Sequence, residues 1–256
     1  MAQLEIHQFP CLSDNYGVLV HDAAAGVTAA IDAPDAAAVR AALQQKRWQL
    51  THILTTHHHH DHTGGNLELK LQTRCIIVGP AAEAAKIPGI DIKLAEGDSY
   101  QLGAHAVQVL DTPGHTAGHI SYWLPSSGVA FVGDTLFALG CGRVIEGSME
   151  QMWHSLEKLM RLPPQTQIYC GHEYTQANAK FALTIEPDNA ALQHRAAQIA
   201  QLRAAGQPTL PTRLDIELET NPFLRPMSPA IRAGLDMEGK SNAEVFAEIR
   251  ERKNRG

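Results

Sequence analysis

A run of histidines with one aspartate is the clearest candidate for a chemical function in this sequence. Five of the 14 histidines lie in the segment Thr56-His57-His58-His59-His60-Asp61-His62. Neutral imidazole and carboxylate groups are common protein ligands of zinc, iron and manganese. The spacing H-x-H-x-D-H therefore predicts that this segment binds metal.

The elements around the run explain how its side chains could converge. A strand predicted over Leu50–Thr55 leads directly into it. Alternate side chains of an extended chain share a face, so His57 and His59 can point to one site while His58 points away. The last two residues of the run lie where we expect the chain to turn, and they can reach a second site nearby.

Further strand ends carry residues of ligand type. Three predicted strands are each followed by a glycine and then by such a residue: His115 after Ala104–Leu110, Asp134 after Val129–Val132, and His172 after Gln167–Cys170. Glycine lets the backbone turn sharply, so the next side chain can enter a pocket. With the strand that precedes the histidine run, four strand ends carry residues of ligand type. This is hard to assign to chance, and we expect the three later ones to complete the two metal sites.

The remaining patterns predict a mixed α/β region followed by a helical region. Short apolar runs predict strands over Leu4–Phe9, Gly17–His21, Val27–Ile31, Cys75–Val78 and Ile120–Leu124. Helical spacing is found over Asp35–Gln45, Asn66–Leu71, Gln176–Ile185 and Asn189–Ala205. Capping boxes at Ser148–Gln151 and Ser241–Glu244 predict two further helix starts. We therefore predict domains over 1–173 and 174–256.

Composition excludes several classes of protein. The 256 residues are 44% hydrophobic, as in a globular protein, and 21 basic against 27 acidic residues give a net charge of −6. That balance disfavours a nucleic-acid partner. The sequence also lacks a long apolar run, so we expect no membrane partner. The four cysteines are widely spaced and form no CxxC, which favours a reducing, cytoplasmic location. We expect a monomer.

The ligand pattern closely resembles that of the metallo-β-lactamase superfamily. Within it, the chain is similar to the glyoxalase II (hydroxyacylglutathione hydrolase) family nearly end to end. The segments that carry this narrower resemblance are Gly133-Asp134-Thr135-Leu136-Phe137, Gly140-Cys141-Gly142-Arg143, Gly171-His172-Glu173-Tyr174-Thr175, Asn221-Pro222-Phe223-Leu224-Arg225 and Arg250-x-x-Lys253. The resemblance implies an αββα sandwich with a small C-terminal α-helical domain that binds glutathione.

The resemblance also implies two divalent metal ions, with zinc expected and iron or manganese as alternatives. It implies that one metal is held by His57, His59 and His115, that the other is held by Asp61, His62 and His172, and that Asp134 bridges them. A hydroxide bridging the two metals would be the nucleophile, with Asp61 and Asp134 as the catalytic carboxylates.

The substrate implied by the resemblance is the thioester S-D-lactoylglutathione. Its hydrolysis to D-lactate and glutathione is the second step of methylglyoxal detoxification. Glutathione carries two carboxylates, and the corresponding candidates in this sequence are the cations Arg143, Arg250 and Lys253 and the hydroxyl of Tyr174. The chain departs from the family at Ile145, where an aromatic residue is common, and in its last residues.

Several alternatives stay open. They include another thioesterase, a lactonase, a β-lactamase, a nuclease, a persulfide dioxygenase and a non-catalytic metal-binding module. The acidic charge disfavours a nuclease, and the complete set of ligands disfavours a non-catalytic module. A covalent role for Cys141 is disfavoured because no basic partner is evident in the sequence, and we expect a loop residue near the pocket. His119 is expected to support the site without binding metal.

Overall fold

The computed structural model describes residues 4–255, which divide into two compact units. The first unit comprises the described residues up to Asp111 together with Thr116–Gly133. The second comprises Thr112–His115 together with the described residues from Asp134 onward. The predicted domain boundary after Glu173 lies inside the second unit and stays a prediction.

A six-stranded sheet begins the first unit. Its strands are adjacent in chain order: β1 (Leu4–Cys11), β2 (Asn15–Asp22), β3 (Val27–Ile31), β4 (His52–Leu54), β5 (Ile76–Pro80) and β6 (Ile92–Leu94). The first three are antiparallel and the rest follow in parallel. Parallel strands end at the same edge of a sheet, so the residues that follow β3 and β4 lie side by side.

Helices cover one face of this sheet. They are α1 (Ala36–Lys46) and α3 (Asn66–Thr73), and the single turn α2 (His60–Thr63) lies between them in the chain. Val39 and Leu43 of α1 and Leu69 of α3 pack with Ile53 and Ile77 of the strands in one buried cluster. Burying such side chains stabilises the fold by about 1.5–3 kcal/mol each. This cluster packs α1 and α3 against β4 and β5 of the sheet.

Four antiparallel strands complete the first unit. They are β7 (Ser99–Leu102), β8 (His105–Asp111), β9 (Ile120–Leu124) and β10 (Val129–Phe131). All five residues of β9 are buried. Its Ile120 N–H donates to Thr56 O at 3.0 Å, and the Tyr122 hydroxyl donates to Thr55 O at 2.7 Å. These bonds attach the segment after β4 to the second set of strands.

The second unit is mainly helical. Its strands form two short antiparallel pairs, β11 (Leu136–Phe137) with β12 (Gly140–Cys141) and β13 (Gln167–Tyr169) with β14 (Thr212–Arg213). Its helices are α4 (Met149–Met160), α5 (Thr175–Ile185), α6 (Ala190–Ala204), α7 (Leu214–Thr220), α8 (Pro229–Leu235) and α9 (Asn242–Arg255). The predicted mixed α/β region and helical C-terminal region are confirmed.

Both predicted capping boxes form. Ser148 Oγ accepts from Gln151 N at 3.1 Å, and the Gln151 side chain accepts from Ser148 N at 2.9 Å. Ser241 and Glu244 exchange the same pair of bonds at the start of α9. Each box satisfies amide groups that the first turn of a helix leaves without a partner. Within residues 4–255, no helix combines the length and apolarity needed to cross a lipid bilayer.

Candidate active site

We call His57, His59, Asp61 and His62 the first ligand group. They are the predicted metal ligands that lie in the first unit. The group follows β4, at the sheet edge where β3 also ends. The chain bends at Thr56, has no regular secondary structure up to His59 and then turns into α2. His57 Nε2 lies 3.2 Å from His59 Nδ1, so the two rings converge as the alternation predicted.

Asp32, a buried aspartate directly after β3, orients this group. Its carboxylate accepts from Thr56 N at 2.7 Å, from Thr56 Oγ1 at 2.9 Å and from His62 Nδ1 at 2.8 Å. Thr56 Oγ1 in turn accepts from His57 Nδ1 at 3.0 Å. With the protons on Nδ1, the Nε2 atoms of both histidines present the lone pair that a metal ion needs.

Asp61 and His62 also converge. His62 Nε2 lies 3.7 Å from Asp61 Oδ2. The Asn15 side chain donates to Asp61 O at 3.1 Å and to Asp61 Oδ2 at 3.2 Å, so the carboxylate is held from the β1–β2 hairpin. The sequence did not predict this role for Asn15, which is of a residue type common in turns.

His58 has a partner of its own outside the first ligand group, and its ring lies edge-on to that of His59 with centroids 5.0 Å apart. Its backbone N–H and its Nδ1 both donate to Glu83 Oε2 at 2.8 Å. The other oxygen of Glu83 accepts from Gly118 N at 2.9 Å. His119 stacks on His57, with ring centroids 4.9 Å apart and planes 28° apart, which is consistent with a supporting role.

The second ligand group is His115, Asp134 and His172, all of the second unit. Asp134 Oδ2 lies 3.4 Å from His115 Nε2 and 3.3 Å from His172 Nε2. His115 Nδ1 donates to Arg143 O at 2.8 Å, which leaves its Nε2 directed at the carboxylate. The preceding residue is glycine for a steric reason: Gly114 has φ +142°, and a Cβ there would lie 2.7 Å from Met152 Cβ.

The spacing of these atoms suits a bound divalent metal. At zinc–ligand distances of about 2.0–2.1 Å, two ligands of a tetrahedral ion are separated by roughly 3.3–3.4 Å. The His57–His59, His115–Asp134 and His172–Asp134 pairs are separated by 3.2, 3.4 and 3.3 Å. The Nδ1 atoms of His57, His62 and His115 have fixed protein partners, as metal-binding histidines generally do. Both ligand groups therefore have the chemistry that a metal centre requires.

A cavity of about 430 Å³ in the second unit adjoins the second ligand group. Its lining residues are His115, Asp134, Phe137, Cys141, Arg143, Ile145, Tyr174, Ala177, Asn178, Arg250 and Lys253. The four residues that the sequence singled out for substrate binding are therefore brought together beside two candidate ligands. Ile145 is 56% exposed and supplies an apolar surface but no hydrogen bond at the cavity rim.

Arg250 and Lys253 form the cationic wall of this cavity. Arg250 is only 6% exposed; its Nη1 donates to Cys141 O at 3.0 Å, its Nε donates to Asn254 Oδ1 at 3.1 Å, and its guanidinium lies 5.2 Å from the Phe223 ring centre. Burial, and secondarily the charge of Arg250, lower the pKa of Lys253. The pair is therefore part of a built pocket and not a solvated basic face.

Tyr174 connects the cavity with a candidate ligand. Its ring stacks on the His172 imidazole, with centroids 4.7 Å apart and planes 3° apart, and meets the Phe137 ring edge-on at 5.3 Å.

Cys141 has a basic neighbour that the sequence did not reveal. Arg250 Nη1 lies 3.9 Å from its Sγ. Burial nevertheless raises the pKa of the thiol to about 11, and the arginine offsets only part of this. A thiol with that pKa is almost entirely protonated at neutral pH, so the environment disfavours a thiolate nucleophile. Cys141 lies in β12 and not in the expected loop.

The second unit thus combines two chemical capabilities in one cavity. Its imidazole and carboxylate donors can hold a metal that polarises a carbonyl. Its cations can bind an anionic molecule that presents such a carbonyl. The arrangement suits hydrolysis of an acyl compound with an anionic recognition element.

Two family models together match the part of the chain that holds all of these residues. A model described as the metallo-beta-lactamase superfamily matches residues 17–172, and one described as the hydroxyacylglutathione hydrolase C-terminus matches residues 173–256. Together they span both ligand groups and the cationic wall.

Individual relatives agree with the family models. Proteins named hydroxyacylglutathione hydrolase from Rhizobium johnstonii and Methylococcus capsulatus are 57% and 55% identical, and the matches cover 99% and 98% of both chains. The crystal structure of ETHE1 from Myxococcus xanthus has a TM-score of 0.71 at 28% identity and covers 98% of this chain and 91% of that chain. The predicted metallo-β-lactamase fold with a helical C-terminal region is confirmed.

Proposed function

We propose a function for this chain from the family to which it belongs, the hydroxyacylglutathione hydrolases of the metallo-β-lactamase superfamily. The reaction is hydrolysis of the thioester S-D-lactoylglutathione to D-lactate and glutathione. The observation that carries this proposal is the cavity of the second unit, where His115 and Asp134 lie beside Arg143, Arg250 and Lys253. Metal-binding side chains and an anion-binding wall are what a glutathione thioester requires.

We infer that the two ligand groups hold two divalent metal ions. The first would be bound by His57, His59 and His115, the second by Asp61, His62 and His172, with Asp134 shared between them. Their imidazole and carboxylate donors favour zinc, with iron or manganese as alternatives. When bound, such ions supply a nucleophilic water with a lowered pKa and polarise the thioester carbonyl.

The protein's own residues bind the substrate and handle the protons. The guanidinium of Arg250 and the ammonium of Lys253 bind carboxylates of glutathione, with Arg143 and the Tyr174 hydroxyl as further donors. Water adds to the acyl carbon, the carbon–sulfur bond breaks, and the sulfur leaves as a thiolate that takes up a proton. The Asp61 carboxylate takes the proton that the attacking water loses and returns it to the departing sulfur, and Asp134 orients the imidazoles of its own group.

We further propose that the enzyme works as a cytoplasmic monomer. The four cysteines are buried free thiols, which suits a reducing compartment. Light scattering on the purified protein tests the monomer.

The decisive experiment is hydrolysis of S-D-lactoylglutathione, followed by loss of the thioester absorbance, with metal content measured on the same sample. We expect turnover, about two metal ions per chain, and loss of activity on chelation that metal restores. Bound metal without thioester hydrolysis would refute the glutathione substrate. Lactones, β-lactams, phosphodiesters and a glutathione persulfide, assayed in parallel, would then identify the alternative activity.

A further inference from the structure

The β11–β12 hairpin lies between the two chemical parts of the second unit. Asp134 of the second ligand group precedes it, and Arg143 of the cavity follows it. Each of its strands has only two residues. A hairpin of this size is not stable on its own, so other parts of the chain must hold it in place.

Three polar side chains hold the tip of this hairpin. We call Asn178, Glu217 and Asn221 the hairpin clamp. Asn178 Nδ2 donates to Ala138 O at 3.1 Å, Asn221 Nδ2 donates to Phe137 O at 3.2 Å and to Gly140 O at 3.0 Å, and Glu217 Oε2 accepts from Leu139 N at 2.9 Å. Every residue from Phe137 to Gly140 is therefore held by a clamp side chain.

Glu217 is the centre of the clamp. It is 0% exposed, and its carboxylate also accepts from Asn221 Nδ2 at 3.0 Å, from Thr212 Oγ1 at 2.6 Å and from Arg195. Burying a carboxylate is costly even when it is paired, and apolar replacements of buried ion pairs are often neutral or stabilising. Stability alone is therefore a weak reason for this buried charge, which points to a positioning role.

The hairpin connects the clamp with Arg250 of the cationic wall. Cys141, the last residue of β12, accepts from Arg250 Nη1 through its carbonyl oxygen at 3.0 Å. The base of the hairpin is closed by Gly142 N, which donates to Thr135 O at 3.1 Å. Any shift of Gly140 therefore moves the carbonyl that orients Arg250.

We propose that Glu217 and Asn221 are positioning residues that set the geometry of Arg250 for substrate binding, although neither lines the cavity. The inference rests on the proposed function, because Arg250 is there assigned to the carboxylates of glutathione. Misplacing a charge-assisted hydrogen bond weakens binding in the ground state and in the transition state alike. The role is therefore visible as a change in KM with a nearly unchanged kcat.

The test compares Glu217→Ala and Asn221→Ala with a matched control, Glu186→Ala. Glu186 is also a buried carboxylate of the second unit, and its partners Arg225, Asn189 and Ser228 all lie outside the hairpin. Each variant is purified with its metal, and kcat, KM, metal content, the dissociation constant of glutathione and the midpoint of thermal unfolding are measured.

We expect both clamp variants to raise KM and the dissociation constant of glutathione by about ten-fold or more, with kcat changed less than about three-fold and metal content as in the wild type. Glu186→Ala should lower the unfolding midpoint and leave KM unchanged. Asn221→Ala retains the Arg195–Glu217 ion pair, so it decides the question if Glu217→Ala does not fold.

The proposal is overturned if Asn221→Ala keeps the wild-type KM and glutathione affinity, or if Glu186→Ala raises KM as much as the clamp variants do. Failure of the proposed function is distinct from both outcomes, since the wild type itself would then neither hydrolyse the thioester nor bind glutathione.

Discussion

The ring of Tyr174 lies parallel to the His172 imidazole, with planes 3° apart and centroids 4.7 Å apart. Stacking restricts rotation of the imidazole, so the tyrosine has a role beyond its predicted hydroxyl contact with substrate. We expect Tyr174→Phe, which keeps the ring, to raise KM and retain wild-type metal affinity. Tyr174→Leu should also weaken metal binding. Competition with a chromophoric chelator measures the affinity, and equal affinity in the two variants would contradict the role of stacking.

Arg250 and Arg252 provide a comparison within one helix. We expect Arg250→Ala to raise KM for the thioester roughly 10- to 100-fold, because a charged hydrogen bond to a carboxylate is worth about 1.5–3 kcal/mol. The metal content should not change. Arg252 pairs with Glu248 on the exposed side of α9, so Arg252→Ala should keep the wild-type KM. An unchanged KM in Arg250→Ala would remove this residue from the binding site.

Asp32 provides a test of the metal centre away from the ligands themselves. Asp32→Asn removes the charge that holds His62 Nδ1 and Thr56. Loss of such a supporting carboxylate typically lowers metal affinity by about 10- to 100-fold. Asp91→Asn is the control, because Asp91 accepts from Ile77 N and Lys70, away from the ligand groups. Metal titration of the two variants should separate them, and identical curves would show that Asp32 does not tune the site.

Glu186 makes stability depend on pH. Burial raises the pKa of its carboxyl, but hydrogen bonds from Arg225, Asn189 and Ser228 outweigh this and hold the pKa below its usual value. A depressed pKa means that the folded state favours the ionised form, so the stabilisation is present above the unfolded-state pKa of about 4.3 and is lost as pH falls through the folded-state value. In metal-free protein, Glu186→Gln should therefore lower the free energy of unfolding at pH 7 and flatten its decline below about pH 5. Parallel curves for variant and wild type would contradict this assignment.

Local patterns predicted much of the fold. The strand over Val27–Ile31 has the predicted bounds, and Ser148 begins a helix at the predicted residue. Apolar periodicity and helix capping depend on residues close together in the chain, so both can be recognised in the sequence. The predicted strand over Leu50–Thr55 is shorter in the structure, His52–Leu54, because only those residues pair with both neighbouring strands.

The supporting contacts of the site leave no recognisable pattern in the sequence. Asp32 and Glu83 each follow a strand, but so do many acidic residues in turns, and only the fold brings them to Thr56 and His58. The β11–β12 hairpin was missed for the same reason. It has no alternation long enough to detect, and it is fixed by side chains such as Glu217, which lies 78 positions from Leu139.

The bond between Arg250 and Cys141 uses a main-chain oxygen, which every amino acid possesses. Selection to preserve this bond therefore acts on the path of the backbone, and the bond by itself does not fix the identity of residue 141. A residue that fits the buried space at 141 would keep the bond to Arg250, so the bond does not require the two positions to change together. Statistical coupling between alignment columns would then overlook a contact that joins residues 109 positions apart.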